Sequence, residues 1–313
     1  MKKRIAAALL CAAALESVCV CAYGEETETS AEIEEGYTVE EEGYTSVVTW
    51  CTNGDKNIYG KFYYPEGFDE SQSYPVVIMS HGLGSRAEMV ERALWPQKAA
   101  QAGYVVYAFD FCGGSVNSNS DMDYYDMSVL TEVSDLNAVM DFVKSQPYVD
   151  QERLFLLGQS QGGLVTALTA ADRADEVNAM ILVYPALCIV DDLHEYIPDL
   201  DEVTGDTVET ATGTLGAVYA RDAYDLDVMS EISGYDGDVL IIHGMNDKLV
   251  PYTYSEEAIA TAYADSASEL LLIGGEKSAH GFEMMYEEGR DYAQEAGIGF
   301  LNAHLEIAEE AEQ

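Results

Sequence analysis

A serine hydroxyl is a useful nucleophile only when a base takes its proton and a third group holds that base. Ser160 stands where such help can reach it. It lies in Gly158-Gln159-Ser160-Gln161-Gly162, directly after the apolar run Leu154–Leu157 and directly before a helical stretch. G-x-S-x-G between strand and helix describes a sharp turn whose flanking glycines keep side chains clear, so the serine oxygen is exposed. The chemistry that suits it is attack on a carbonyl carbon. The plainer alternative is a Gly-rich turn capped by Ser160.

Five histidines are available as the base. His280, in Ser278-Ala279-His280-Gly281-Phe282, falls after the last expected strand and before the final helix, and is the expected one. His304 reads as a surface residue of the C-terminal helix, His194 as part of a polar insertion, and His243 as a packed, hydrogen-bonded residue ending a strand. The acid should end a strand between serine and histidine. Asp247 does so, one short loop beyond Ile241-Ile242-His243-Gly244. Asp238 precedes that strand, at the wrong end, and Asp222, Asp225 and Asp227 fall in the insertion. Asp247 would accept from the His280 nitrogen that faces away from Ser160; its alternative is a turn or capping residue. The oxyanion of a tetrahedral intermediate needs donors, and backbone amides suffice. Those of Gln161, opening a helix, and of Leu83, in His81-Gly82-Leu83-Gly84, are the expected pair, with His81 ordering its loop.

The elements that must position these residues are legible as alternating short apolar runs and amphipathic helices. Val47–Trp50 and Ile58–Tyr64 flank Asn53-Gly54-Asp55 and read as a hairpin. Further strands are expected at Val76–Ser80, Tyr104–Phe109, Leu154–Leu157, Met180–Tyr184, Val239–His243 and Leu270–Ile273. A helix is expected over Val129–Lys144, with Val133, Leu136, Val139, Met140 and Val143 on one face and Pro147 beyond its end. Others fall at about Gly162–Ala171, Ser255–Ala264 and Met284–Glu306. The pattern predicts an α/β fold, a mainly parallel sheet covered on both faces, with active groups at the carboxyl ends of the strands.

Composition narrows the partners. The 313-residue chain carries 57 acidic against 15 basic side chains, a net charge of −42. Such a field repels phosphate backbones and anionic membranes, which excludes nucleic acid as an expected partner. Lys2, Lys3 and Arg4, the apolar run Ile5–Leu15 and Ala22-Tyr23-Gly24 read as a secretory signal over residues 1–24. The protein is therefore expected to be secreted or extracytoplasmic, without stable membrane insertion after cleavage; Cys19 and Cys21 leave lipid anchoring as the alternative. Residues 25–43 are Glu-, Thr- and Gly-rich and read as a disordered acidic leader. The remaining 44–313 suits one domain, with an insertion, about 186–231, before the strand leading to Asp247. Outside the signal, Cys51, Cys112 and Cys188 read as buried thiols. No spacing suggests a metal site, and no cofactor is expected.

These stretches, together with Phe109-Asp110-Phe111 and Met127-Ser128-Val129-Leu130-Thr131-Glu132-Val133, resemble the α/β-hydrolase superfamily over essentially all of 44–313. The order Ser…Asp…His is the one associated with that fold. Within it the chain is most similar to the small cinnamoyl/feruloyl esterases of gut bacteria, although Gln159 stands where those often have His. The resemblance implies that the insertion is a lid shaping an acyl pocket, and that Asp192 and Tyr219 match lid positions contacting the phenolic end of a hydroxycinnamoyl group. The expected activity is hydrolysis of a small carboxylic ester through an acyl-serine. A lipase fits poorly with so acidic a lid. A prolyl-oligopeptidase-type peptidase usually carries a large N-terminal domain not seen here, which leaves a small serine aminopeptidase as the alternative. From a different class, the rival is a non-catalytic secreted binding protein on a hydrolase scaffold.

Overall fold

In a strand, successive side chains point to opposite faces, and here both faces are apolar. Val76 and Ile78 belong to one buried cluster while Val77 and Met79 belong to another, and Leu154 and Leu156 alternate in the same way with Phe155 and Leu157. A strand of that kind must be covered on both sides. The structure, a computed structural model, describes residues 35–311; the expected signal lies outside them.

Along the chain, β1 (Thr38–Glu41), β2 (Tyr44–Asn53), β3 (Lys56–Pro65) and β4 (Tyr74–Ser80) are followed by α1 (Ala87–Arg92), α2 (Trp95–Gln101) and β5 (Val105–Phe109). Then come α3 (Val129–Lys144), β6 (Val149–Gln159), α4 (Gln161–Asp172) and β7 (Ala179–Val183). The insertion consists of α5 (Ile189–Tyr196), a separate hairpin of β8 (Thr207–Thr210) and β9 (Gly213–Gly216), α6 (Ala217–Ala223) and α7 (Val228–Ile232). β10 (Asp238–Gly244), α8 (Thr253–Ala260), β11 (Glu269–Ile273), α9 (Phe282–Met285) and α10 (Glu287–Ala311) complete the order.

The main sheet has nine strands in the order β1-β2-β3-β5-β4-β6-β7-β10-β11. From β5 to β11 all neighbours are parallel, and β1, β2 and β3 extend the sheet in antiparallel fashion. This is the α/β-hydrolase fold. One face is covered by α3 and α4, with the lid helices continuing their core, and the other by α1, α2 and α10. α3 has the expected bounds because a capping box opens it: Thr131 N–H donates to Ser128 Oγ, and Ser128 N–H to Thr131 Oγ1.

Two expectations need correction. The sequence predicts a disordered acidic leader to residue 43, but Thr38–Glu41 pairs with β2 in the register Thr38↔Val47. Backbone hydrogen bonds to an open sheet edge supply what its side chains cannot. The insertion also contains a hairpin that its polar sequence concealed. The final helix begins with a separate short turn, α9, before α10.

Candidate active site

The strands set three loops side by side at their carboxyl ends. β6 ends at Gln159 and α4 starts at Gln161, so Ser160 is the whole of the turn between them. It holds φ 53, ψ −123, a conformation non-glycine residues rarely adopt. Its amide donates to Val183 O at 3.0 Å, and its own carbonyl accepts from Gly163 and Ala186 amides at 2.9 Å. Gly162 allows this approach, since a Cβ there would stand 2.2 Å from the His81 carbonyl oxygen.

The structure brings the three expected residues together. His280 Nε2 lies 3.0 Å from Ser160 Oγ, and His280 Nδ1 lies 2.7 Å from Asp247 Oδ2. Asp247 is buried, with Oδ1 taking the Leu249 and Val250 amides at 2.9 Å. Burial alone would raise its pKa. Hydrogen bonds from His243 and His280 more than reverse this and hold the carboxyl well below the usual carboxylate range. The loops are laced together: Asn246 N–H donates to Ser278 Oγ at 3.1 Å, and Ser278 Oγ donates to Gly275 O at 2.7 Å.

The remaining histidines are accounted for by packing. His243 is buried, with Nδ1 2.7 Å from Ser255 Oγ and Nε2 3.0 Å from Val250 O and 3.5 Å from Asp247 Oδ2, where it also supports the carboxylate. His194 Nε2 lies 2.9 Å from Tyr224 O. His304 is less exposed than expected, bonded to Asp238 Oδ2 at 3.1 Å. His81 is fully buried; its Nε2 accepts the Phe111 amide at 3.0 Å, so Nδ1 carries the proton donated to Gly82 O at 2.8 Å. Both ring nitrogens thus fix the loop that carries Leu83. Burial pushes its pKa down, favouring this neutral form.

A pocket opens on Ser160 and is lined by Leu83 and Gln161, with Ile189, Leu193 and Leu215 from the lid and Val250 opposite. Asp192 and Tyr219 both line it. Asp192 is half-buried, and burial raises its pKa against the Cys188 thiol, which donates to Oδ2 at 3.2 Å. Tyr219 is buried, and its hydroxyl is already engaged, donating to Gln161 Oε1 at 2.6 Å.

Two buried carboxyls that sequence reasoning missed flank Ser160. Glu132 accepts from Gln161 Nε2 at 2.8 Å, and burial pushes its pKa up to about 8. Glu283 accepts from Gln159 Nε2 at 2.8 Å and from the Tyr184 hydroxyl, and burial pushes its pKa up to about 7. Glu132 had one legible signal: it falls at helical spacing between Val129 and Leu136, on a buried face where Asp135 is the other acidic residue. Cys51, Cys112 and Cys188 are buried and unpaired. Among the described residues no cluster of three or more His, Cys, Asp or Glu could hold a metal, and no helix is long and apolar enough to cross a membrane.

With this geometry in hand, the comparison with known families is decisive: the model of the prolyl oligopeptidase family matches residues 92–307. The chain belongs to that family. The match covers the strands and loops that carry Ser160, Asp247 and His280, so membership rests on the hydrolase domain itself and not on any N-terminal domain. Among curated proteins, the chain is 29% identical over 108 residues to "Uncharacterized protein YcjY" of Escherichia coli (strain K12), covering 34% of each. It is 26% identical over 132 residues to "Alpha/beta hydrolase domain-containing protein WAV2" of Arabidopsis thaliana, covering 42% of each. The chain thus spans less than half the length of these curated relatives. Among solved structures, Est1E from Butyrivibrio proteoclasticus, with ferulic acid bound, is similar with a TM-score of 0.71 at 23% identity, over 82% of this chain and 99% of that one. At that identity the likeness establishes the shared fold.

Proposed function

We propose that this protein is a secreted serine hydrolase that cleaves small carboxylic esters through an acyl-serine intermediate. The observation that carries the reading is the continuous relay from Ser160 Oγ to His280 Nε2, at 3.0 Å, and from His280 Nδ1 to Asp247 Oδ2, at 2.7 Å. Ser160 attacks the ester carbonyl while His280 takes its proton, and the amides of Leu83 and Gln161 hold the developing oxyanion. His280 then returns the proton to the leaving alcohol. Water repeats the sequence on the acyl-serine and frees the acid. Asp247 keeps the imidazole in the right tautomer and stabilises its cation. The apolar pocket lining suits a short aliphatic or aromatic acyl group. Hydroxycinnamoyl esters are one such class, supported by the fold shared with Est1E, which was solved with ferulic acid. Export is supported by the basic start, the apolar run and Ala22-Tyr23-Gly24.

Family membership favours one further reading, amide cleavage by the same relay in a small serine aminopeptidase. A panel of p-nitrophenyl acetate and butyrate, methyl ferulate and an aminoacyl p-nitroanilide separates the two, and the ester reading expects esters to be turned over faster. Dominant anilide cleavage would replace it. Ser160→Ala should lower turnover by about 10⁴-fold or more, with an unchanged circular dichroism spectrum. Near-wild-type activity in that variant would remove Ser160 from the mechanism, and failure of a fluorophosphonate to label the folded protein would favour a non-catalytic binding protein.

A further inference from the structure

Glu283 lies three residues beyond His280 on α9 and is fully buried. Its Oε1 accepts from Gln159 Nε2 and from the Tyr184 hydroxyl, while Oε2 has no hydrogen-bond partner. A carboxyl held by an amide and a phenol is poorly compensated for leaving water, and structures keep such groups where they serve a purpose more often than elsewhere. Tyr184 links the group to His280. The ring of Tyr184 packs on the ring of His280, with centroids 4.4 Å apart and planes at 53°. Tyr184 is itself a non-glycine residue at φ 40, pinned by its amide to Ile242 O at 2.7 Å.

The groups facing this carboxyl come from several elements. Gln159 comes from the end of β6, Tyr184 from just beyond β7, and His280 from the loop after β11. Asp247, beyond β10, acts electrostatically on Tyr184. Burial raises the pKa of Glu283 to about 7; the Tyr184 and Gln159 hydrogen bonds, its own backbone amide and the charge of His280 oppose the rise. It therefore titrates in the range where a histidine base works.

On the serine-hydrolase reading, we propose that Glu283 is a positioning residue for His280: through Tyr184 it fixes the imidazole, and its negative charge supports the imidazolium formed as Ser160 attacks. No bond to Glu283 forms or breaks. The proton taken from Ser160 stays on His280 until the alcohol leaves, and Glu283 changes charge only by exchange with solvent. Full rate then requires two ionisations on the acid side of the pH profile, and the two are coupled.

The test is the pH dependence of kcat/KM on p-nitrophenyl butyrate for the wild type, Glu283→Gln and Tyr184→Phe, with thermal melts establishing that each variant folds. Gln keeps the shape and the accepting oxygen and removes the charge. The wild-type acid limb should be steeper than a single ionisation. Glu283→Gln should give a single-ionisation limb with its midpoint about one pH unit lower and a plateau about tenfold lower. Tyr184→Phe removes a donor that lowers the carboxyl's pKa, so its limb should move the opposite way, to higher pH. An equal loss at every pH in Glu283→Gln, or limbs that move in the same direction in both variants, would overturn the proposal. Ser160→Ala, assayed alongside, keeps the two readings apart. If it stays active, the hydrolase assignment fails. If it is inert while Glu283→Gln leaves the limb unmoved, only the role of Glu283 fails.

Discussion

Ser160 has a glutamine on either side, and the two glutamines lead into regions built from the same parts. Gln161 donates to buried Glu132, and Gln159 donates to buried Glu283, each at 2.8 Å. Each region also contains a buried tyrosine. On the lid side, the Tyr219 hydroxyl goes to the amide oxygen of Gln161, so the amide is bonded at both ends and a closed chain runs from α6 through the elbow to α3. On the base side, both donors converge on one oxygen of Glu283 and leave the other bare. The same set of groups serves two ends. The lid side is a tie between elements. On the proposed mechanism, the base side leaves an incompletely bonded carboxyl near the ring that takes the serine proton.

Removing the charge beside His280 directly should have the largest effect. Asp247→Asn should lower kcat by about 10³–10⁴-fold in a protein that still melts cooperatively; a loss below tenfold would mean that the base needs no acid. On the opposite flank, Gly82→Ala puts a methyl carbon 2.9 Å from Ser160 Cβ. Crowding the oxyanion loop should cost about 10–10²-fold in kcat with a smaller change in KM, measured by steady-state kinetics. Tyr219→Phe cuts the lid tie. It should lower stability by about 1 kcal/mol in denaturant titrations and lower kcat no more than a few-fold, with the acid limb of activity unmoved. A shifted limb would erase the contrast between the two sides.

Glu132 sharpens the contrast through stability rather than turnover. Its folded pKa, about 8, lies above the value of about 4.3 for a free glutamate, so the folded state holds a proton that the unfolded chain releases. Its contribution to stability is therefore fully present below about pH 4.3, declines as pH rises and is lost by about pH 8. Glu132→Gln keeps an oxygen for Gln161 and removes the titration. Thermal melts between pH 5 and 9 should show the variant gaining on the wild type as pH rises; parallel curves would mean that the carboxyl ionises freely.

What the sequence disclosed follows from which signals are local. The bounds of α3 follow from Ser128 and Pro147, and the central strands from uninterrupted apolar runs. The expected positions of Ser160, Asp247 and His280 needed only a motif and the rule that loops at one end of a parallel sheet converge. Other features carried no local mark. Among 57 acidic residues, the burial of Glu283 has no signature, because it depends on Gln159 and Tyr184, far away in sequence. α1 and α2 have Arg86 and Leu94 at their N-caps, neither of which makes a side-chain cap, so the one start signal was Pro96 in the first turn of α2. The β8–β9 hairpin has just Val208 and Leu215 buried on its inner face, too little alternation to stand out in a polar insertion.

The turn at Ser160 has one more consequence. Its backbone angles survive only while the amide is docked on Val183 and Gly162 lies beneath the His81 carbonyl. In a nascent or denatured chain that hydroxyl is as inert as any other serine's. Recovery of covalent labelling during refolding would therefore time the seating of α4 on the sheet, and a misassembled molecule would stay chemically silent.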